Sequence, residues 1–172
     1  MGWEIERRFL VSVSNAGWTG FGEGRHLRQG YVRNGQPSVR IRVGEERGAV
    51  LTCKSGKGVR REEVETVVPD DVAQALFVAA EERTIEKIRF TIGPWELDRF
   101  LGPLDGLALL EIELEDEAQV IPEPPASVKV LREVTNDKRF VSGQLARMSP
   151  KKQRKLVRKV YKEVKGWKGL AN

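Results

Sequence analysis

The sequence predicts an α+β chain whose antiparallel strands close into a barrel with a charged interior and helices packed outside. Two observations carry this. Short alternating stretches recur along the chain between Gly, Pro and Asn turns, and alternate residues of a strand share a face. The polar faces of these stretches also carry like-charge pairs: acidic at Glu4/Glu6, Glu63/Glu65 and Glu111/Glu113, basic at Arg40/Arg42 and Lys87/Arg89, with Lys54 beside them. Glu is a poor strand former and adjacent like charges repel, so a repeated pattern of this kind requires a common cause. In a closed sheet the charged faces would line the inside and the apolar faces would pack outward against helices.

The first strand is Trp3 to Val11, with Glu4, Glu6 and Arg8 on one face and Ile5, Phe9 and Val11 on the other, which Arg7 interrupts. Ser12 to Gly24 reads as a loop or short helix. Arg28 to Arg33 runs into Asn34-Gly35, a hairpin signal, and returns as Val39-Arg40-Ile41-Arg42-Val43. Val50 to Lys54 and Arg61 to Val67 follow, separated by Ser55 to Gly58. Pro69-Asp70-Asp71 marks a helix start, with Asp as the expected cap, and Val72 to Ala80 is the helix. Ile85 to Phe90, Trp95 to Phe100 and Leu110 to Glu115 alternate again, whereas Pro122 to Pro125 is a stiff linker and Arg132 to Phe140 is part strand, part turn. Ser149-Pro150 opens a final helix with an apolar stripe of Leu156, Val157, Val160, Tyr161 and Val164.

At 172 residues, 40% apolar and 32% charged, the chain suits one compact domain with a sizeable core. No apolar run reaches a membrane span and no secretory pattern opens the chain, so a cytoplasmic protein without a membrane partner is expected. A single cysteine, Cys53, excludes an internal disulfide framework, and a single histidine, His26, leaves too few soft ligands for an ordinary zinc site. The net charge of +5 is unevenly spread: from Leu145 onward ten Lys/Arg face Glu163 alone, which leaves about −4 on residues 1–144.

Carboxylates and cations gathered in one cavity are too costly to leave dry or unpaired, and a metal ion with a polyanion would satisfy both sets. Oxygen-only ligands select Mg2+ or Mn2+. Arginine forks and lysine ammonium groups bind phosphate oxygens, and a row of them suits a linear chain of phosphates. The chemistry that follows is metal-assisted phosphoryl transfer to water. Rival phosphate devices are absent: Leu51 stands where a P-loop before Gly56-Lys57 needs glycine, and Leu27 breaks a dinucleotide fingerprint after Gly22 and Gly24.

Glu4-Ile5-Glu6-Arg7-Arg8-Phe9-Leu10-Val11 resembles the ExExK signature strand of the CYTH superfamily, the triphosphate tunnel metalloenzymes. The likeness continues, in order, through Gln29-Gly30-Tyr31, Arg40-Ile41-Arg42, Thr52-Cys53-Lys54, Glu63-Val64-Glu65, Lys87-Ile88-Arg89, Trp95 to Asp98, Glu111-Ile112-Glu113-Leu114 and Glu133-Val134-Thr135 with Asp137 and Arg139. It implies an eight-stranded antiparallel closed barrel over residues 1–146, followed by a basic C-terminal helix, 147–172, packed on the barrel or capping it. By position it implies a metal held by Glu4, Glu6 and Glu113, with Glu111 supporting it or a second ion. Phosphates would be held by Arg8, Arg40, Arg42, Lys54, Lys87, Arg89 and Arg139. Glu63, Glu65 and Glu111 would serve catalysis, with Tyr31 near the reacting phosphate or in an ordinary packing role. Arg8 stands where the signature has lysine, which keeps the charge but changes reach and hydrogen-bond geometry.

The opening looks most like the short bacterial branch associated with inorganic triphosphatase activity, which implies a small-molecule triphosphate such as tripolyphosphate, ATP or thiamine triphosphate as substrate. Two other readings stand beside it: a class IV adenylate cyclase, and a non-catalytic polyphosphate- or nucleotide-binding module. A homodimer is compatible with the sequence, and no nucleic-acid partner is expected. For the basic helix the alternatives are packing on the barrel, closing a tunnel mouth, attracting polyanions and binding nucleic acid.

Overall fold

In a computed structural model, which describes residues 2–33, 35–45, 48–56 and 60–166, an antiparallel sheet of nine strands carries four α-helices. The strands are β1 (Gly2–Val13), β2 (Arg25–Arg33), β3 (Ser38–Glu45), β4 (Gly48–Ser55), β5 (Arg60–Val68), β6 (Thr84–Ile92), β7 (Trp95–Phe100), β8 (Ala108–Leu114) and β9 (Val128–Glu133). The helices are α1 (Asn15–Gly20), α2 (Asp70–Ala80), α3 (Ser142–Arg147) and α4 (Pro150–Gly166). Neighbours run in the order β5-β4-β3-β2-β6-β7-β8-β1-β9, with β5 also paired to β1.

The eight-stranded closed barrel is corrected here to a nine-stranded sheet. The cause is the length of β1. Its 12 residues pair with β5 through Gly2–Ile5, with β8 through Ile5–Leu10, and with β9 through Phe9–Val13 after a register shift between Leu10 and Val11. Pairing with β5 ends at Ile5, so the rest of that edge of β1 is open to β9, in which Leu131 is the extra residue of the bulge. β9 begins at Val128, upstream of the stretch whose alternation announces a strand, and α3 has no sequence signal of its own. Asn34 of the anticipated hairpin lies outside the described residues. Pro69, rather than an Asp, occupies the N-cap of α2, and Asp70 and Asp71 sit in its first turn, where they favour the helix dipole.

Both faces of the sheet are covered. On the outside, Ile5, Val11, Phe90, Leu97, Leu110 and Ile112 form a core roofed by Trp18 and Phe21, at and just beyond α1. A smaller core joins Ile41 and Ala49 to Ala73 and Phe77 of α2. Phe77 also lies over Gly30, where an added Cβ would meet its ring at 2.8 Å; the glycine lets the helix approach the strand.

The inner face changes character along its length. Leu10, Phe100 and Leu109 lie two residues beyond Arg8, Asp98 and Glu111, hence on the same faces, and they join Phe140, Leu145, Leu156 and Val160 in one cluster. α3 and α4 therefore pack onto the apolar end of a face that is otherwise charged. Tyr161 donates to the Val11 carbonyl at 3.1 Å and Gln153 to the Leu145 carbonyl at 2.9 Å, fixing α4 in place. No helix among the described residues is long and apolar enough to cross a membrane.

Because Leu156 is buried in that cluster, Leu156→Ala should lower unfolding free energy by about 2–3 kcal/mol with an unchanged denaturant slope, measured by urea denaturation.

Candidate active site

The charged half of the inner face encloses a cavity of about 1010 Å³. Among the described residues, its walls carry eight cations, Arg8, Arg25, Arg40, Arg42, Lys54, Arg61, Lys87 and Arg89, against six carboxylates, Glu6, Glu63, Glu65, Glu96, Glu111 and Glu113. Their convergence follows from strand periodicity: each contributing strand sends alternate residues inward, and antiparallel registers bring opposite signs together. Arg8 stands across from Glu111, Lys54 from Glu63 and Arg89 from Asp98.

Two banks differ in tightness. On β1, β6, β7 and β8 the charges form one continuous chain. Arg8 bonds Glu6 and, through Nε at 2.5 Å, Glu111 Oε1. Glu111 Oε2 accepts from Arg89 at 2.9 Å, and Arg89 grips both oxygens of Asp98 at 2.6 Å while also bonding Glu96. Lys87 bonds Asp98, which is 0% exposed. Burial raises the Glu111 pKa, but Arg8, Lys87 and Arg89 outweigh it and hold the carboxyl well below the usual carboxylate range. Burial and the neighbouring Arg89 lower the Lys87 pKa against the pull of Asp98 and Glu111.

On β3, β4 and β5 the pairing is looser. Arg40 and Arg42 stand 3.5 and 3.6 Å from Glu65, and Lys54 lies 3.0 Å from Glu63. Thr52 donates to Glu65 at 2.9 Å and accepts from Arg40 at 3.1 Å. The Arg40 Nε is buried without a hydrogen-bond partner among the described residues.

Nearly all the anticipated residues therefore share one cavity: Glu6, Arg8, Tyr31, Arg40, Arg42, Lys54, Glu63, Glu65, Lys87, Arg89, Glu111 and Glu113. Of Glu4 only the backbone, paired to Arg61, belongs to the described structure. Arg139 is not brought to the cavity. Asp137 binds it bidentately, at 2.7–3.1 Å, and Glu163 of α4 lies 3.6 Å away, because a 3-10 turn at Lys138–Phe140 carries it off the sheet. Lys87 lies in the floor, 2% exposed, and both oxygens of Glu111 are taken by arginines. Tyr31 is buried, its hydroxyl 3.4 Å from Gln29 Oε1.

Arg25, Arg61, Glu96 and the start of α3 line the cavity without having been anticipated. Arg61 and Glu96 obey the same two-residue spacing, as same-face neighbours of Glu63 and Asp98. Arg25 has no such neighbour in its own strand, and only the fold reveals it.

The donor chemistry suits a hard divalent cation. Glu6 and Glu113 are directly opposite in register, which sets two carboxylates side by side as oxygen ligands for such an ion. No three His, Cys, Asp or Glu side chains among the described residues converge into a ready metal cluster.

Sheet, helices and lining define a class of α+β protein that keeps a charged cavity on the inner face of a large antiparallel sheet. The CYTH domain family model matches residues 3–147, and the chain belongs to that family. It is 35% identical over 153 residues to the inorganic triphosphatase of Acetivibrio thermocellus, covering 86% of this chain and 95% of the relative. It is also 35% identical over 160 residues to the inorganic triphosphatase of Nitrosomonas europaea, covering 86% and 99%. The crystal structure of the inorganic triphosphatase NE1496 superposes with a TM-score of 0.55 at 33% identity, over 86% of this chain and 99% of that one.

Removing the acid that mates two buried cations should be costly. Asp98→Asn is expected to lose about 3 kcal/mol of stability at neutral pH, measured by chemical denaturation. Glu111 has a depressed folded pKa, so its contribution is whole above the ordinary carboxyl value of 4.5 and fades as pH falls below it. Glu111→Gln should accordingly show a shallower loss of stability on acidification than the parent, followed by pH-dependent melting.

Proposed function

We propose that this chain is a divalent-metal-dependent triphosphatase that hydrolyses a phosphoanhydride bond of inorganic tripolyphosphate within the sheet. The observation that carries the reading is the unequal pairing of the two banks. Arg8, Lys87 and Arg89 are locked to carboxylates by short, buried bonds, whereas the Arg40 guanidinium stands 3.5 Å from Glu65 and its Nε has no hydrogen-bond partner among the described residues. A linear triphosphate exchanges for those longer contacts, and the wall cations supply the phosphate-binding groups. The relatives named inorganic triphosphatase support the same assignment.

Within this reading Arg40, Arg42 and Lys54 bind phosphate oxygens. Glu63 and Glu65, released from them, orient the attacking water and accept its proton. Water attacks the terminal phosphorus, the bridging P–O bond breaks, and pyrophosphate and phosphate leave. Glu4, Glu6 and Glu113 would hold Mg2+ or Mn2+, which supplies charge neutralisation on the phosphates. Arg8 fastens Glu6 to Glu111 across two strands, a task for a forked guanidinium that a lysine point charge does less well. Glu111, with Asp98 behind it, positions the arginines; Tyr31 stands in the wall beside the bound chain.

Phosphate release from tripolyphosphate should require Mg2+ or Mn2+ and stop with chelator. Arg40→Ala should reduce kcat/KM by roughly 10–100-fold, as expected for losing a hydrogen bond between charged groups. Metal-independent release would contradict the mechanism. Cyclic AMP formed from ATP would move the assignment to a cyclase, and tight tripolyphosphate binding without turnover would make the cavity a binding module.

A further inference from the structure

The cationic face of α4 takes no part in the cavity. Lys151, Lys152, Arg154, Lys155, Arg158, Lys159 and Lys162 are all exposed. At the α-helical repeat they fall in an arc of about 160° and span about 16 Å, opposite the buried Gln153, Leu156 and Val160. Only Glu163 borders the arc, 3.7 Å from Lys159, and it is shared with Arg139. No ion pair joins the other six to a carboxylate among the described residues.

This arrangement works against the helix that carries it. Lys151/Lys155, Arg154/Arg158, Lys155/Lys159 and Arg158/Lys162 are like-charge pairs four residues apart, which destabilise a helix. Lys151, Lys152 and Arg154 also crowd the N-terminal end, where the dipole favours anions and the first turn holds no acid. A face that breaks both local rules without gain to the fold points to an external counter-charge.

The chemistry of the arc narrows the partner. It carries neither an aromatic ring for stacking nor an amide for reading base edges: Tyr161 is bonded to Val11 and Gln153 to Leu145. The apolar stripe that would enter a lipid surface is already packed in the core. We propose that this face docks a long linear inorganic polyphosphate, read through charge alone, on the outside of the sheet. The proposal goes beyond the hydrolytic cavity and does not depend on it.

The test is fluorescence anisotropy of end-labelled long-chain polyphosphate with the full chain over roughly 50–200 mM salt, a range in which contacts of this kind weaken steeply. Relative to the parent, the cavity variant Arg40→Ala, whose helix face is intact, should lose less affinity than either face variant. Lys151→Gln/Lys155→Gln/Arg158→Gln/Lys162→Gln should bind at least about tenfold more weakly, with a shallower salt dependence and an equal or higher melting temperature because repulsion is relieved. Lys155→Gln/Lys162→Gln, which leaves the first turn untouched, should fall between. Parent-like affinity in both face variants would overturn the proposal. So would equal or tighter binding of oligothymidylate or anionic phosphatidylserine vesicles, which would assign the face to nucleic acid or to a membrane surface. Loss of binding in Arg40→Ala alone would place the polymer in the cavity, and that result leaves the hydrolytic reading standing.

Discussion

Charges placed inside a sheet must be mated, and the fold is arranged so that they are. Asp98, fully buried, receives Lys87 from one residue of β6 and Arg89 from the next inward residue; Arg89 reaches Glu111 on β8, and Arg8 carries the chain on to Glu6 on β1. Coulomb attraction at low dielectric offsets desolvation only when such geometry is good. A one-residue slip in any register would turn a charged row outward and an apolar row inward, so the ionic chain and the outer cores specify the same registers.

That constraint divides the cavity into a fixed part and an exchangeable part. The bank on β1, β6, β7 and β8 is saturated by its own bonds and sets the shape of the site. The bank on β3, β4 and β5 holds its cations at longer range and keeps a buried Arg40 donor unmet, so a phosphate chain finds partners there without dismantling the core. Charge preorganised in this way limits the reorganisation to the exchange of those carboxylate contacts when a polyanion arrives. The apolar continuation of the same inner faces, Leu10, Phe100 and Leu109, lets α3 and α4 pack firmly next to the charged half, and residues 142–144 of α3 form part of the cavity wall.

Much of this was legible in the sequence because a period of two is a strong signal when the faces differ as sharply as they do at Glu4 to Arg8 or Glu111 to Glu113. Like-charge spacing identified most of the cavity, and two-residue alternation without regard to sign would have added Arg61 and Glu96. Three features were not legible. β9 gains its strand from the edge of β1 that β5 leaves open beyond Ile5, which is a tertiary event. Arg139 lies near the motif residues in sequence, yet a local turn commits it to Asp137. The difference between Lys87 in the floor and Lys54 in the wall depends on which partner lies behind each, and alternation is blind to depth.

The central claim is that the cavity holds a triphosphate together with a divalent ion. Its most direct test is electron paramagnetic resonance of Mn2+ titrated into the protein with tripolyphosphate, resolving phosphorus hyperfine coupling, in the parent and in Glu113→Gln. The account predicts a protein-bound Mn2+ coupled to phosphorus in the parent and markedly weakened in the variant. Mn2+ that binds tripolyphosphate only as it does in free solution, or that is unchanged by Glu113→Gln, would contradict it.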